Sequence, residues 1–261
     1  MRVHVRVPAT SANLGPGFDA LGLALTLHNE IVLSEAEGVR VAIEGEGAAR
    51  LPRTADNVVA RGVKLAYEVA GRPFRGCALE CTNRVPAARG LGSSAAAWVG
   101  GLTVSCVSGS TVTAVSLPVP ASLRWVALIP EVTSATTEAR AVLPASVPHH
   151  DAVFNVQRVA LLLASLWAGR LSALGAALED RLHQPYRLKL FPWMPDVVRA
   201  ARAAGALGCV LSGAGPSLLA VVAGDEAPVA GSMEAALRRA GIAGAARVFG
   251  VDASGAVSRV V

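Results

Sequence analysis

Hydrophobic residues recur at two different spacings along this chain, and each spacing predicts one kind of element. Short apolar runs bounded by turn residues have the length and pattern of β-strands. They cover residues 3–7, 30–33, 39–43, 77–85, 102–107, 123–129, 209–211 and 218–222. Longer stretches with apolar residues three or four positions apart predict helices. They cover residues 57–70, 136–143, 152–167, 171–182, 196–204 and 232–240.

The order of these elements predicts an α+β fold with two domains. Strands and helices are mixed without a regular strand–helix–strand alternation, which argues against a doubly wound parallel sheet. The stretch Leu-Pro-Val-Pro at residues 117–120 forms a stiff joint. We therefore expect one domain over residues 1–118 and another over residues 119–261. Near the end of the chain, Asp-Ala-Ser-Gly at residues 252–255 predicts the turn of a closing hairpin.

The hydrophobic content of 52% does not indicate a membrane protein, because alanine supplies much of it. The longest apolar helical run, residues 159–169, is shorter than the roughly 20 residues that a bilayer requires. The N-terminus alternates like a strand and lacks the apolar core of a signal peptide. We therefore expect a cytoplasmic protein without a membrane partner.

The net charge of +5 comes almost wholly from scattered arginines. There is no basic run and no interleaved aromatic surface, so we expect no nucleic-acid partner. An anion-binding pocket would benefit from the positive balance. The four cysteines lack the paired spacing of metal or redox motifs, which favours reduced and mostly buried thiols.

The most informative segment is residues 86–97, which read Pro-Ala-Ala-Arg-Gly-Leu-Gly-Ser-Ser-Ala-Ala-Ala. An apolar strand leads into a glycine and serine turn, and the turn opens into helix-forming alanines. Glycines let a backbone approach a ligand closely, and free N–H groups at a helix start bind phosphate. The serines can cap the helix or offer hydroxyls to a phosphate or a metal. The pattern indicates a triphosphate cradle; an ordinary capped strand-to-helix turn is the alternative.

Two familiar phosphate loops do not fit this segment. A P-loop needs a lysine directly before its Ser or Thr, and this chain has Gly92 there. Residues 90–95 match the dinucleotide pattern G-x-G-x-x-A, which needs an acidic residue about 20 positions further on. No Asp or Glu occurs between Glu80 and Glu131. The dinucleotide-binding interpretation therefore fails.

Two loops add candidate chemistry. Residues 8–19 place two glycines, Asn13 and Asp19 directly after the first strand, where substrate contacts are often found. The alternative is an elaborate turn in which both side chains bind local backbone groups. Residues 212–217, Ser-Gly-Ala-Gly-Pro-Ser, lie between two predicted strands. Their glycines serve either a tight hairpin or the approach of a phosphate.

Guanidinium groups come from two further segments. Thr136 and Arg140 lie one helical turn apart, and residues 180–187 end in Arg187. Arginine suits a carboxylate because its planar fork donates two parallel hydrogen bonds. A single arginine is more often a solvated surface residue, so these positions gain weight only in combination with the loops.

Taken together, these segments resemble the GHMP small-molecule kinases, and within them the homoserine kinases. Residues 86–97 match the superfamily's ATP-phosphate motif, and residues 212–217 match its C-terminal glycine motif. Four further segments favour the homoserine branch over mevalonate or sugar kinases. They are residues 12–22, 136–144, 151–155 and 180–187.

The resemblance implies a ribosomal protein S5 domain 2-like N-terminal domain and a ferredoxin-like C-terminal domain. It implies an ATP- and Mg²⁺-dependent kinase that phosphorylates the side-chain hydroxyl of L-homoserine, a step toward threonine. It also suggests a homodimer.

The resemblance assigns roles to residues at the matching positions. The ATP-binding residues would be Pro86, Arg89, Gly90, Leu91, Gly92, Ser93, Ser94, Ala95 and, on the adenine side, Asn57. The substrate-binding residues would be Asn13 and Asp19 near the reacting end and Thr136, Arg140 and Arg187 at the carboxylate. Gly213 and Gly215 form the glycine motif. Asp19, which would orient the hydroxyl, and Ser94, which would turn its hydroxyl toward Mg²⁺, are the catalytic candidates.

The sequence departs from the family pattern directly after the phosphate motif. Family members continue a long helix there and then carry a second helix ending in Glu-Gly-His-Pro-Asp-Asn, whose Glu is the expected Mg²⁺ ligand. Here residues 97–101 run straight into the strand-like residues 102–107, and roughly 40 residues are absent. The acid-free stretch between residues 80 and 131 offers no local replacement. His-His-Asp at residues 149–151 more readily begins a helix.

Three functional hypotheses follow. The first is a homoserine kinase whose Mg²⁺ is held by ATP phosphates, Ser94 and water. The second is an impaired or inactive remnant that binds nucleotide or amino acid without turnover. The third is another GHMP kinase that acts on a different alcohol.

Overall fold

The computed structural model describes residues 2–92 and 101–261, and it confirms the α+β class. Within those residues the chain forms eleven strands and seven α-helices. The strands are β1 (Arg2–Ala12), β2 (Leu21–Glu35), β3 (Gly38–Gly45), β4 (Gly76–Asn83), β5 (Leu102–Ser108), β6 (Thr111–Leu117), β7 (Arg124–Pro130), β8 (Gly208–Leu211), β9 (Leu218–Val222), β10 (Gly244–Phe249) and β11 (Val257–Val260). The helices are α1 (Val58–Val69), α2 (Thr136–Ala141), α3 (His149–Trp167), α4 (Leu174–Ala177), α5 (Gln184–Arg187), α6 (Met194–Ala203) and α7 (Ala227–Arg239).

The first sheet is built on the long antiparallel pair of β1 and β2. Its strand order is β11-β1-β2-β4-β3, and β5 pairs both with the first residues of β2 and with β6. Strands β3 and β4 are parallel. The register of β1 against β2 shifts between Pro8 and Ala9. Such an irregularity bends a strand and redirects its side chains, and this one lies just before the loop that follows β1.

The second sheet has four antiparallel strands in the order β10-β7-β9-β8. Successive residues of β7 point to opposite faces, as the strand period of two requires. Trp125 and Ala127 enter a core shared with the first sheet, whereas Val126 and Leu128 pack among residues of α6 and α7. Because both faces are covered, β7 is a continuous apolar run.

One hydrophobic core joins the two sheets. It contains Leu23 and Leu25 from β2, Leu219 from β9 and Leu162 from α3. Ala9 of β1 and Val210 of β8 belong to the same core. The loops that leave β1 and β8 therefore start from a common packed base, which fixes their relative positions.

The predicted closing hairpin at residues 252–255 is wrong, because β10 pairs with β7 and β11 pairs with β1. The Asp252 carboxylate accepts hydrogen bonds from the amides of Ser254 and Gly255 at 2.7 and 2.8 Å and contacts His28. These hydrogen bonds stabilise the connection from β10 in the second sheet to β11 in the first. A local turn of this type has the same sequence pattern whether the strand after it pairs with the strand before it or joins another sheet.

Two other predictions differ from the structure. The helix predicted over residues 171–182 is a 3₁₀ turn (Leu171–Ala173) followed by α4, and the chain is irregular from residue 178 to 183. Strand β6 was not predicted; every residue of it before Leu117 is exposed, so its apolar residues mark no buried face, and only Leu117 packs against the core. It pairs with β5 through a tight turn at Gly109, whose φ is +59°.

Several smaller expectations concern the whole chain. No helix among the described residues is both long and apolar enough to cross a membrane. All four cysteines are free thiols, and three of them are buried. Helix α3 does begin at His149, as expected for the His-His-Asp segment. The division between residues 118 and 119 stays a prediction, although strand pairing places β11 from the end of the chain in the first sheet.

Candidate active site

A cleft of about 310 Å³ opens where the loops after β1, β4 and β8 meet α2 and α5. It brings together eleven of the residues predicted for the site. They are Asn13, Asp19, Arg89, Gly90, Leu91, Gly92, Thr136, Arg140, Arg187, Gly213 and Gly215. The loops come from both halves of the chain, so the convergence is a property of the fold that the sequence does not display directly.

The loop of residues 88–92 is fixed through its carbonyl oxygens. The donors are the amides of Thr10, Ser134 and Ser217, which meet Leu91 O at 3.1 Å, Ala88 O at 3.3 Å and Arg89 O at 3.3 Å. Among the described residues, the amides of Gly90, Leu91 and Gly92 donate no hydrogen bond. Backbone N–H groups are obligatory donors, and consecutive ones without a protein partner form an anion-binding concavity. Amides in this arrangement are chemically suited to an anion.

Gly90 and Gly92 are required by both their conformation and their contacts. Their φ angles are +78° and +67°. A Cβ on Gly90 would lie 2.2 Å from Ser212 O, and a Cβ on Gly92 would lie 1.8 Å from Thr10 Oγ1. No side chain fits at either position without displacing the neighbouring loop.

The glycine motif of residues 212–217 connects the antiparallel strands β8 and β9 and also packs against residues 88–92. The Ser212 hydroxyl oxygen lies 2.7 Å from Gly90 O. Gly213 and Gly215 have φ angles of +58° and +88°. The motif thus closes a hairpin and supports the glycine loop at the same time.

Asp19 and Arg140 face each other across the cleft. The Arg140 guanidinium donates two hydrogen bonds to the Asp19 carboxylate, at 2.9 and 3.1 Å. Both side chains are about half exposed. An exposed ion pair contributes little net stability, so either partner is free to exchange the other for a polar ligand.

Arg187 is the opposite case, since its side chain is almost fully buried. It donates from Nε to Ala139 O at 3.2 Å and from Nη1 to Gly213 O at 3.1 Å and His183 Nδ1 at 2.9 Å. Burial lowers the pKa of this guanidinium, and the nearby Arg140 lowers it further. Nη2 makes no hydrogen bond to a described residue, which leaves it available to a ligand in the cleft.

The cleft is electropositive and partly aromatic. Among the residues that the structure describes, its lining contains one carboxylate, Asp19, and three guanidinium groups, those of Arg89, Arg140 and Arg187. The guanidinium carbons of Arg140 and Arg187 lie 5.8 and 5.5 Å from the centre of the Phe18 ring, within the range of cation–π attraction. This balance favours an anionic ligand.

Backbone strain concentrates in the same loops. The described non-glycine residues with positive φ are Asn13 (75°), Leu14 (44°), Asp19 (56°) and Ala88 (55°). Conformations of this kind cost free energy and persist where the surroundings impose them, often at functional sites. Asn13 supplies part of that constraint, because its side chain donates to Gly213 O at 2.9 Å and accepts from the Asp19 amide at 3.1 Å.

The remaining predicted residues lie elsewhere. Ser93, Ser94 and Ala95 fall outside the described residues. Pro86 is buried and is not part of the cleft lining. The Asn57 side chain caps α1 by accepting from the Val59 amide at 2.9 Å, and it too is absent from the cleft lining, so its adenine-side role stays a prediction.

Sequence reasoning missed the residues that support Arg187. The side chains of His183 and Asp180 are fully buried, and Asn155 of α3 donates from Nδ2 to Asp180 Oδ1 at 2.7 Å. All three lie in segments that carried the resemblance, but only the guanidinium groups had been assigned a role. No local pattern distinguished them, because residues 179–187 are mostly polar in sequence and burial is a tertiary property.

The described residues do not build a protein site for Mg²⁺. Among them, no group of three or more His, Cys, Asp or Glu side chains is placed to hold a metal ion, and Asp19, the carboxylate in the cleft lining, is already paired with Arg140. Magnesium prefers carboxylates together with substrate phosphates and water.

Comparison with known proteins agrees with this geometry. The family model for the GHMP kinases N terminal domain matches residues 57–106, and the model for the GHMP kinases C terminal region matches residues 160–243. A homoserine kinase from Moorella thermoacetica is 41% identical, over 91% of this chain and 93% of its own length. The chain belongs to the homoserine kinase family of the GHMP kinases.

Two further relatives support the family assignment. A homoserine kinase from Persephonella marina is 39% identical over 97% of each chain. The crystal structure of homoserine kinase from Cytophaga hutchinsonii superposes with a TM-score of 0.88 at 29% identity, covering 99% of this chain and 97% of that one. The two-domain fold expected from the resemblance is confirmed, whereas the homodimer stays a prediction.

Proposed function

We propose that this kinase transfers the γ-phosphoryl group of ATP to the side-chain hydroxyl of L-homoserine, which gives O-phospho-L-homoserine for threonine biosynthesis. The proposal rests on one observation, the placement of phosphate-binding and amino-acid-binding groups in the same cleft. The amides of Gly90, Leu91 and Gly92 and Nη2 of Arg187 donate to no described residue. All four residues line the cleft together with the Asp19–Arg140 pair. One side of the cleft suits a polyphosphate, and the other suits a small amino acid.

The phosphate side consists of the glycine loop and its neighbours. Amide groups of residues 90–92 would meet phosphate oxygens, and Arg89 adds a guanidinium at the same edge of the cleft. Ser94, which lies outside the described residues, stays a predicted contact to the phosphates and their Mg²⁺. When bound, that ion neutralises phosphate charge.

The amino-acid side uses groups of both charges. Nη2 of Arg187 and the hydroxyl of Thr136 would hold the homoserine carboxylate, joined by Arg140 once it leaves Asp19. The released Asp19 carboxylate would accept a hydrogen bond from the homoserine hydroxyl. Asn13 acts mainly by fixing the Asp19 backbone, since its amide group bridges Gly213 and Asp19.

The reaction depends more on the alignment of the homoserine hydroxyl with the γ-phosphate than on a strong base. In the step, the homoserine oxygen bonds to the γ-phosphorus while the bond from that phosphorus to the bridging oxygen of ADP breaks. Phosphoryl transfer passes through a loose transition state, so positioning and charge neutralisation dominate. Asp19 orients the hydroxyl and takes its proton, and the arginines and amides balance the negative charge.

A catalytically impaired relative is the second candidate, and one observation favours it. The alignment with the Persephonella marina homoserine kinase runs over 293 positions, whereas this chain has 261 residues in all. That relative therefore carries residues without a counterpart here, in keeping with the internal deletion predicted near residues 99–101. Loss of a metal carboxylate there would lower turnover by a factor of about 10³.

A coupled assay of ADP release tests the proposal. We expect release with ATP, Mg²⁺ and L-homoserine, and background rates with mevalonate or galactose in its place. Turnover of either alternative alcohol in preference to homoserine would assign the chain to another GHMP activity. Calorimetric binding of ATP and homoserine without ADP release would favour the impaired relative.

A further inference from the structure

His183 occupies a buried position between the loop after β1 and the Arg187 side chain. It is the residue directly before α5, and its side chain has no exposed surface. Nε2 lies 2.7 Å from Gly15 O, and Nδ1 lies 2.9 Å from Arg187 Nη1. The imidazole therefore bridges the strained loop of residues 13–19 and the guanidinium of the cleft.

These two contacts fix the protonation state of the ring. A guanidinium has donors only, so Nδ1 must accept from Arg187. A carbonyl oxygen is an acceptor only, so Nε2 must carry the hydrogen that reaches Gly15. Both conditions are met by one form, the neutral imidazole protonated at Nε2. A second proton would place an N–H group at Nδ1 directly against an N–H group of Arg187.

The other charged groups around the ring are Asp180, Asp19 and Arg140. Asp180 Oδ2 lies 3.5 Å from Nε2 and favours the charged ring, as does the more distant Asp19. Arg187 opposes it directly, and Arg140 adds positive charge beside Arg187. Burial is the largest influence, and the pKa of His183 is lowered from its ordinary value. The neutral form is thus the resting form at neutral pH.

Asp180 is committed to holding the backbone around His183. Its carboxylate accepts hydrogen bonds from Asn155 Nδ2 and from the amides of Leu182, His183 and Gln184, at 2.7 to 3.1 Å. Phe18 stacks on the imidazole with ring centres 5.1 Å apart. The ring has no freedom to turn, so the direction of its Nδ1 lone pair is set by the fold.

We propose that His183 is a positioning residue for substrate binding, whose neutral imidazole accepts from Arg187 Nη1 and so directs Nη2 into the cleft toward the homoserine carboxylate. The inference rests on the proposed function for the role of the carboxylate. It goes beyond that function by assigning to His183 a requirement for one tautomer. Homoserine binding should weaken as pH falls from the ordinary histidine range through the lowered pKa of His183, whereas ATP binding should not follow that titration.

Two variants separate the two hydrogen bonds of the ring. In His183→Asn the side-chain oxygen can take the place of Nδ1 as acceptor for Arg187, while the donor to Gly15 is lost. In His183→Gln the amide nitrogen can take the place of Nε2 as donor to Gly15, while the acceptor for Arg187 is lost. Each variant loses one hydrogen bond and the stacking on Phe18, so they form a matched pair.

We expect His183→Gln to raise the KM for homoserine about 10-fold or more, as loss of a hydrogen bond to a charged group does. His183→Asn should keep this KM within about threefold of the native value and should lose the acidic pH dependence. The KM for ATP should be unchanged in both. Equal effects of the two variants on homoserine, or an unchanged acidic limb in His183→Asn, would overturn the proposal.

Nitrogen NMR of the imidazole tests the same idea without catalysis. The native chain should show His183 as the Nε2–H tautomer from pH 8 down into the ordinary histidine range. The resonance is assigned by its disappearance in His183→Gln or, if that variant does not fold, in His183→Asn. The Nδ1–H tautomer or an imidazolium at pH 7 would overturn the positioning role. If the native protein shows this tautomer but does not bind homoserine, the proposed function is refuted instead.

Discussion

Asp19, which lines the cleft, and Asp180, which holds the backbone around His183, are carboxylates in opposite surroundings. Asp19 is half exposed, sits on a strained backbone and has one side-chain partner, Arg140. Asp180 is fully buried and accepts four hydrogen bonds, three of them from backbone amides. The protein fills the hydrogen-bond acceptor capacity of Asp180, and this carboxylate fixes the structure. Asp19 keeps acceptor capacity that a substrate can use.

The two arginines repeat the contrast. Arg187 is buried and has three of its N–H groups committed to Ala139, Gly213 and His183. Arg140 is half exposed and bound to Asp19 alone through its terminal nitrogens. Arg187 thus keeps only Nη2 without a described partner, whereas Arg140 can release Asp19 and offer both terminal nitrogens to the cleft. For the two carboxylates, substitution should therefore affect stability at Asp180 and turnover at Asp19.

The largest effect on stability is expected for Asp180→Asn. The new NH₂ group would face amides that now donate to the carboxylate, so the free energy of unfolding should fall by about 3 kcal/mol. Urea unfolding followed by circular dichroism measures it. Asp196→Asn is the matched control, because that exposed carboxylate has one ion pair, at 2.9 Å with Arg199, and should change stability by no more than about 0.5 kcal/mol. Equal losses in both variants would contradict the distinction.

Asp19→Asn should give the reverse pattern. We expect kcat for homoserine to fall about 100-fold, because the variant can no longer orient and accept the hydroxyl proton as a carboxylate does. The free energy of unfolding should change by less than about 1 kcal/mol, as for exposed ion pairs. Steady-state kinetics and urea unfolding measure the two quantities. A stable variant with native kcat would remove Asp19 from the mechanism.

Gly90→Ala tests the glycine loop, and Gly109→Ala, at a glycine of similar conformation outside the cleft, is its control. Its Cβ would meet Ser212 O at 2.2 Å, so we expect a loss of about 2 kcal/mol or more in stability together with weaker ATP binding by calorimetry. Gly109 also has a positive φ, but a Cβ there would touch nothing within 4 Å. Gly109→Ala should cost about 1 kcal/mol and leave ATP binding intact. The prediction fails if both variants bind ATP equally well.

The smallest effect concerns Asp252, a buried carboxylate at the crossover between the sheets. Burial alone would raise its pKa, but hydrogen bonds from His28, Gly255 and Ser254 lower it overall. A carboxyl group with a lowered pKa stabilises the fold above its ordinary pKa and loses that contribution as pH falls through the folded value. Asp252→Asn should therefore lose about 1 kcal/mol at pH 7 and show a shallower decline in stability below about pH 5. An acid decline as steep as in the native chain would contradict this.

Features formed by residues close in the sequence could be predicted, whereas contacts between residues distant in the sequence could not. The glycine loop and the loop with Asn13 and Asp19 stood out because glycines and polar residues follow apolar strands there. The roles of Asp19, Arg140 and Arg187 came from the resemblance to the GHMP kinases. The Asp19–Arg140 pair joins positions 121 residues apart in the chain, and no local pattern reveals it. The crossover at residues 252–255 was mistaken for a hairpin for the same reason, since strand pairing is decided by distant partners. His183 was overlooked because burial makes it important, and burial is a tertiary property.

Phosphorus NMR of the reaction mixture tests the central claim most directly. Native chain with ATP, Mg²⁺ and L-homoserine should produce a new phosphomonoester resonance that grows in step with ADP and is absent without homoserine. The same sample of Asp19→Asn should show this resonance appearing about 100-fold more slowly. Release of inorganic phosphate with no phosphomonoester, or no consumption of ATP by a chain that binds both ligands, would contradict the account.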